Sequence, residues 1–125
     1  NEADSSHHDE DVAEAQQWLR SNLCSPVSME LLAKHLQLSS RTLNRRFKRA
    51  TGMAPLSYLQ SLRIASAKDL LRHSNLTVGD IAWQHGIQDV SYFSQLFRKH
   101  CGVSPLKYRE AVRGKLFNPE VHGRP

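Results

Sequence analysis

The chain has 125 residues, a net charge of +5, 39% apolar and 23% charged residues, a balance that suits one folded, helix-rich domain rather than a disordered chain. No apolar run approaches the roughly 18 residues needed to cross a bilayer, and the acidic amino end does not fit a secretory signal. Cys24 and Cys101 are too few for a disulfide scaffold and are expected to be reduced core thiols, so the expected location is cytoplasmic, with no membrane partner. The chain opens on Asn1 and is expected to be a piece of a longer polypeptide.

Residues 1–11 lack apolar periodicity and are expected to form a flexible acidic leader or linker. A helix is predicted over about 12–22, with Val12, Ala15, Trp18, Leu19 and Leu23 on one face. After Pro26, Ser28 is a good cap for a helix carrying Met29, Leu32, Ala33 and Leu36. Ser39 or Ser40 caps the next, whose stripe is Leu43, Phe47 and Ala50 and whose end is Gly52. Pro55 opens a long helix reaching about residue 74, with Leu56, Leu59, Leu62, Ala65, Leu70 and Leu71 as candidates for burial. Thr77 and Asp80 form a capping pair for Val78, Ile81, Ala82 and His85. Asp89 caps a sixth helix, Ser104-Pro105 opens a seventh, and residues 114–125 are expected as an irregular tail. No useful stretch alternates with period two, so the predicted class is all-α.

Charge is unevenly placed. Residues 1–14 hold six acidic groups and no Lys or Arg, which leaves all 17 basic residues against six acidic ones beyond them, a net +11. Such a segment is the electrostatic footprint of a polyanion binder.

An internal repeat organises the basic segment. Ala33 matches Ala82 at an offset of 49; after one extra residue near Gln88, Leu43 matches Phe93, Phe47 matches Phe97, Gly52 matches Gly102 and Pro55 matches Pro105. Leu56 with Leu106 and Tyr58 with Tyr108 continue that register. Each copy reads as helix, short turn, helix, and the small Ala33 or Ala82 allows close crossing, as in a helix-turn-helix. Gly86 would supply a positive φ in the second turn; the first must use Gln37. The expected domain therefore spans 12–113, with one unit over about 28–52, a linker helix over about 55–74, and a second unit over about 77–102.

At 100° per residue, Leu43, Phe47 and Ala50 share the core side of the first unit's second helix, while Arg41, Asn44, Arg45 and Lys48 point away. In the second unit Phe93, Phe97 and His100 share the core side, against Ser91, Ser94, Gln95 and Arg98. These polar faces carry almost no carboxylate, Asp89 at the cap being the only acid in either helix, whereas ordinary solvated faces mix both signs. Arg can bind guanine bidentately, and Asn or Gln adenine. The base-reading candidates are thus Arg41, Asn44 and Arg45 with Ser91, Ser94 and Gln95. Ser40, Lys48, Arg49, Arg98 and Lys99 are candidates for phosphate, which positions the protein without specifying sequence; Arg41 or Arg45 could take that role instead. A linker helix of about 18 residues spans roughly 27 Å, close to the ~34 Å between successive major-groove faces, so one chain could read two of them.

The stretches Ile81-Ala-Trp-Gln-His-Gly-Ile87, Asp89 through Gly102 and Val103-Ser-Pro-Leu-Lys-Tyr-Arg109 resemble the signature of the AraC/XylS transcriptional regulators. Leu38-Ser-Ser-Arg-Thr-Leu-Asn-Arg-Arg-Phe47 and Arg63-Ile-Ala-Ser-Ala-Lys-Asp-Leu-Leu71 fit it too, and the likeness covers about residues 10–113. The resemblance implies seven helices in two helix-turn-helix subdomains joined by a long linker helix. It also implies sequence-specific binding to bacterial promoter DNA, contact with RNA polymerase, and an N-terminal sensor domain on the same polypeptide. Its base-reading slots fall on Arg41, Asn44, Arg45, Ser91, Ser94 and Gln95. Ile87 departs from a common aromatic, a tolerable core change. Gln95 stands where Arg is frequent, which favours adenine or a weaker contact.

His35, His73, His85 and His100 show no metal-ligand spacing with either cysteine; no metal and no cofactor are expected. Trp18 and Trp83 are most simply core aromatics. Asn75-Leu-Thr77 matches a glycosylation acceptor pattern, but Thr77 is assigned to capping. No phosphate loop, acid pair or nucleophile–base arrangement is present, so no catalysis is expected. The alternative function is a helical module docking an acidic protein partner; RNA binding is disfavoured by the lack of stacking aromatics.

Overall fold

The computed structural model describes the backbone of residues 2–117 and the side chains of residues 10–114. The described residues form seven helices and no strand: α1 (Glu2–Ser21), α2 (Met29–His35), α3 (Ser40–Thr51), α4 (Pro55–His73), α5 (Val78–Gln84), α6 (Val90–Cys101) and α7 (Pro105–Phe117). The chain divides into two compact units between Leu62 and Arg63, inside α4.

Capping residues set most helix starts. Ser28 accepts from the amides of Glu30 and Leu31, and Ser39 from that of Thr42. Thr77 and Asp80 form a reciprocal capping box, and Ser104 Oγ accepts from the Lys107 amide at 3.2 Å. Each such bond satisfies an amide that the first helical turn leaves open.

Unit 1 is built on Val12, Ala15 and Leu19 of α1, which pack with Leu32 and Ala33 of α2, Leu43 and Phe47 of α3, and Leu59 of α4. Unit 2 is built on Ile64, Ala67 and Leu71 of α4, with Ile81 and Ala82 of α5 and Phe93, Leu96 and Phe97 of α6. Burying one such Phe or Leu stabilises by about 1.5–3 kcal/mol, so each unit carries its own core. The trio Val12, Ala15 and Leu19 recurs as Ile64, Ala67 and Leu71 at an offset of 52. Even the helix ends agree: Asn22 Nδ2 donates to the Trp18 carbonyl at 2.7 Å, and Ser74 Oγ donates to that of Leu70 at 2.7 Å. The repeat thus extends one helix further back than residue 33, and α4 is more than a linker. Its first half closes unit 1, and its second half is the opening helix of unit 2.

Several expectations are corrected. Helix α1 starts at Glu2 rather than near residue 12; acidic residues in the first turns complement the positive end of the helix dipole. At the other end α7 passes through Gly114 to Phe117, because one interior Gly costs a helix only about 1 kcal/mol; residues 118–125 lie outside the described residues. Ala50 and His100 are exposed, not core; helical spacing sets a direction but buries a side chain only where another element covers it, and the last turn of α6 packs through Cys101. In α6 Leu96 takes the buried place instead. On α4 Leu56 and Ala65 are exposed while Ile64 and Ala67 are buried, since the buried stripe changes sides where one unit gives way to the next. Trp83 is 65% exposed, on the side of α5 away from Ile81 and Ala82. Cys24 is an exposed free thiol, and Cys101 is half-buried.

Candidate nucleic-acid interface

Each unit presents its second helix through the same local construction. In unit 1 Gln37 turns into the left-handed region (φ 60°). Its amide donates to the Lys34 carbonyl at 3.0 Å, and that of Leu38 donates to the Ala33 carbonyl at 2.9 Å. In unit 2 Gly86 (φ 73°) repeats this, with Gly86 N donating to Trp83 O and Ile87 N to Ala82 O, both at 3.0 Å. Both are the paired 5→2 and 6→1 bonds that end a helix and redirect the chain. The sequence supplies Gly where the conformation is free and Gln where it is strained, yet the two turns close alike.

Helices α3 and α6 are then fixed by their aromatic anchors. Phe47 and Phe97 are fully buried. Phe47 meets Tyr58 edge-on at 5.3 Å, and Phe97 meets Tyr108 edge-on at 5.6 Å. Tyr58 accepts from Arg20 at 3.0 Å and Tyr108 from Arg72 at 3.4 Å. Because Tyr58 and Tyr108 come from the helix that follows, each buried Phe is held from that side as well as by the core of its own unit.

The outward face of α3 carries Arg41, Asn44, Arg45, Lys48 and Arg49, all exposed, with Ser40 half-buried at its first turn. On α6 Ser91, Gln95, Arg98 and Lys99 are exposed and Ser94 is half-buried. The candidates of each unit therefore lie together on one helix, and neither helix contains a carboxylate. Asp89, just before α6, is occupied as a cap, accepting from the amides of Ser91 and Tyr92 at 2.9 and 3.2 Å.

Other basic side chains serve the fold. Arg46 pairs with Asp11 at 3.2 Å, and Arg63 is buried. Arg109 donates to the carbonyls of Leu71 at 3.0 Å and Ser74 at 3.1 Å, covering the C-terminal end of α4; partial burial, then the charge of Arg113, pushes its guanidinium below the ordinary value. Arg113 in turn donates to Asn75 Oδ1 at 3.1 Å. His35 Nε2 lies 3.2 Å from Glu14 Oε2. A charge count cannot separate these groups from those on the open helix faces.

Buried His85 ties unit 2 together: Nδ1 lies 2.7 Å from the Ile81 carbonyl and Nε2 lies 2.8 Å from Ser66 Oγ. A donor on Nδ1 and a free lone pair on Nε2, receiving the Ser66 hydroxyl proton, satisfy both contacts in the neutral ring. Burial, opposed by the Ile81 carbonyl and assisted by the charge of Arg63, lowers its pKa from the ordinary 6.5. Burial raises that of the Cys101 thiol, against the charge of Lys68. Among the described residues no helix is long and apolar enough to cross a membrane.

Two repeated helix-turn-helix units with basic, carboxylate-free second helices define a DNA-binding domain. The comparisons with known proteins agree. A family model described as a helix-turn-helix domain matches residues 32–111. The transcriptional activator RhaS of Escherichia coli (strain SE11) is 40% identical over 99 residues, 79% of this chain and 36% of its own length. Among solved structures, the DNA-binding domain of the transcriptional factor AdpA, in complex with a target DNA, superposes with a TM-score of 0.79 and 35% identity, over 83% of this chain and 94% of that one. The C-terminal domain of the response regulator AraT from Geobacillus stearothermophilus gives 0.78 and 30%, over 81% and 84%. The chain belongs to the AraC-type helix-turn-helix DNA-binding domains of transcription regulators. It spans about a third of the length of RhaS.

Proposed function

We propose that the chain binds promoter DNA by laying α3 and α6 in successive major grooves of one duplex. The observation that carries this reading is the shared open face of Arg41, Asn44 and Arg45 on α3, free of carboxylates and anchored from behind by Leu43 and Phe47. Arg41 and Arg45 suit guanine edges and Asn44 suits adenine. On α6, Ser91, Ser94 and Gln95 take the corresponding places. Ser40, Lys48, Arg49, Arg98 and Lys99 meet phosphate and fix the register. The 19 residues of α4 reach about 28 Å at ~1.5 Å each, comparable with the ~34 Å repeat of the major groove.

In this reading the chain is the DNA-binding part of a longer cytoplasmic regulator, as its coverage of RhaS suggests. A sensor domain on the amino-terminal side and RNA polymerase are its other partners. The domain does no chemistry of its own. Selection of bound duplexes from a random DNA pool tests the proposal: two half-sites about one helical turn apart are expected. Enrichment of a single half-site would overturn the two-groove arrangement, and enrichment of no sequence would overturn base reading.

A further inference from the structure

Val90 is the first residue of α6, directly after the Asp89 cap, and it is 42% exposed. One of its methyls lies beside α5: a Cβ added at Gly79 would come 3.5 Å from Val90 Cγ2. Val90 also borders an open surface cavity of about 170 Å³, whose lining includes Val78, Ser94, Pro105 and Leu106. At 100° per residue Ser94 stands about 40° round the helix from Val90, and Arg98 about 80°. Val90 therefore adjoins the polar face of α6 and gives it an apolar edge. Unit 1 has no counterpart, because the residue 50 positions earlier is Ser40.

The first residues of a recognition helix reach the base edges. Among the groups displayed in the major groove, the aliphatic one is the 5-methyl of thymine. The neighbours Ser91, Ser94 and Gln95 are uncharged, so these positions of α6 lack the arginines that α3 carries at Arg41 and Arg45. We propose that Val90 and the adjoining cavity receive a thymine 5-methyl group, so that α6 specifies thymine at one position of its half-site. This rests on α6 reading bases, as proposed above.

The test acts on the DNA first, so it does not depend on a variant folding. In a duplex selected by the unmodified chain, each thymine of the α6 half-site is replaced in turn by deoxyuridine, which removes only the methyl. At one position affinity should fall about three- to five-fold, the worth of one buried methyl-sized group. In Val90→Ala that position should become indifferent to the exchange, while Gln95→Ala should leave the methyl effect in place. Indifference of the unmodified chain at every thymine, with Gln95→Ala still altering base preference, would overturn the methyl contact alone. A persistent uracil penalty in Val90→Ala would do the same. If α6 shows no base preference while α3 retains one, both the methyl contact and base reading by α6 fall.

Discussion

Nε2 of His85 lies 2.8 Å from Ser66 Oγ, joining the end of α5 to the middle of α4 beneath the turn that launches α6. The ring is buried, and burial holds its pKa below the ordinary 6.5. The folded state therefore binds fewer protons here than the unfolded chain, whose imidazole titrates near 6.5. The stabilising contribution is complete above that value and is lost as pH falls through it toward the folded-state pKa. Thermal unfolding between pH 7.5 and 5.5 should show a falling Tm, and His85→Gln should flatten that slope. An equal slope in the variant would show that His85 does not carry it.

How much of this was legible in the sequence follows from which forces act locally. The caps at Ser28, Thr77 and Asp89 and the turns at Gln37 and Gly86 could be placed because their chemistry lies within a few residues. The anchors Phe47 and Phe97 followed from periodicity within one helix. Trp83 and His100 were misplaced because helical spacing gives a direction, not the presence of a neighbour on that side. The same gap hid the double role of α4, whose buried residues answer to two cores; only an offset of 52 linking Val12, Ala15 and Leu19 to Ile64, Ala67 and Leu71 signals it. The division of basic residues between fold and face was also illegible, since Arg46 and Arg109 find their partners 35 to 39 positions away.

Arg109 offers a direct check on that division. It bonds carbonyls at the end of α4 and is only partly accessible. Arg109→Met keeps most of the stem and removes the donors, so stability should fall by about 1–2 kcal/mol in urea unfolding. The salt dependence of DNA binding should not change. A slope reduced by about one unit would instead make Arg109 a phosphate contact.

On the open face of α3 the expectation is reversed. Arg45→Ala should leave stability nearly intact, cost about 1–3 kcal/mol at the selected site and relax selectivity at one base. Lys48→Ala should weaken binding to all sequences alike and lower the salt slope by about one unit. Titrations of both variants against the selected and a scrambled duplex separate the roles. A uniform loss for Arg45→Ala would reassign it to phosphate.

The last prediction concerns α4 as a mechanical element. Ala65 is exposed, so replacing it removes little packing, but a proline there deletes one helix hydrogen bond and clashes with the carbonyl four residues earlier, at a cost of about 3 kcal/mol. If both units must engage one duplex together, Ala65→Pro should lose affinity for a two-half-site duplex while keeping that for the isolated half-site of α3. The separation is expected because the α3 core draws on α4 through residues of its first half, Tyr58, Leu59 and Leu62, all before the substituted position. Circular dichroism establishes that the variant is folded before the comparison is made. Undiminished affinity for the full site in a folded variant would mean that the two units do not depend on an unbroken α4 for joint binding.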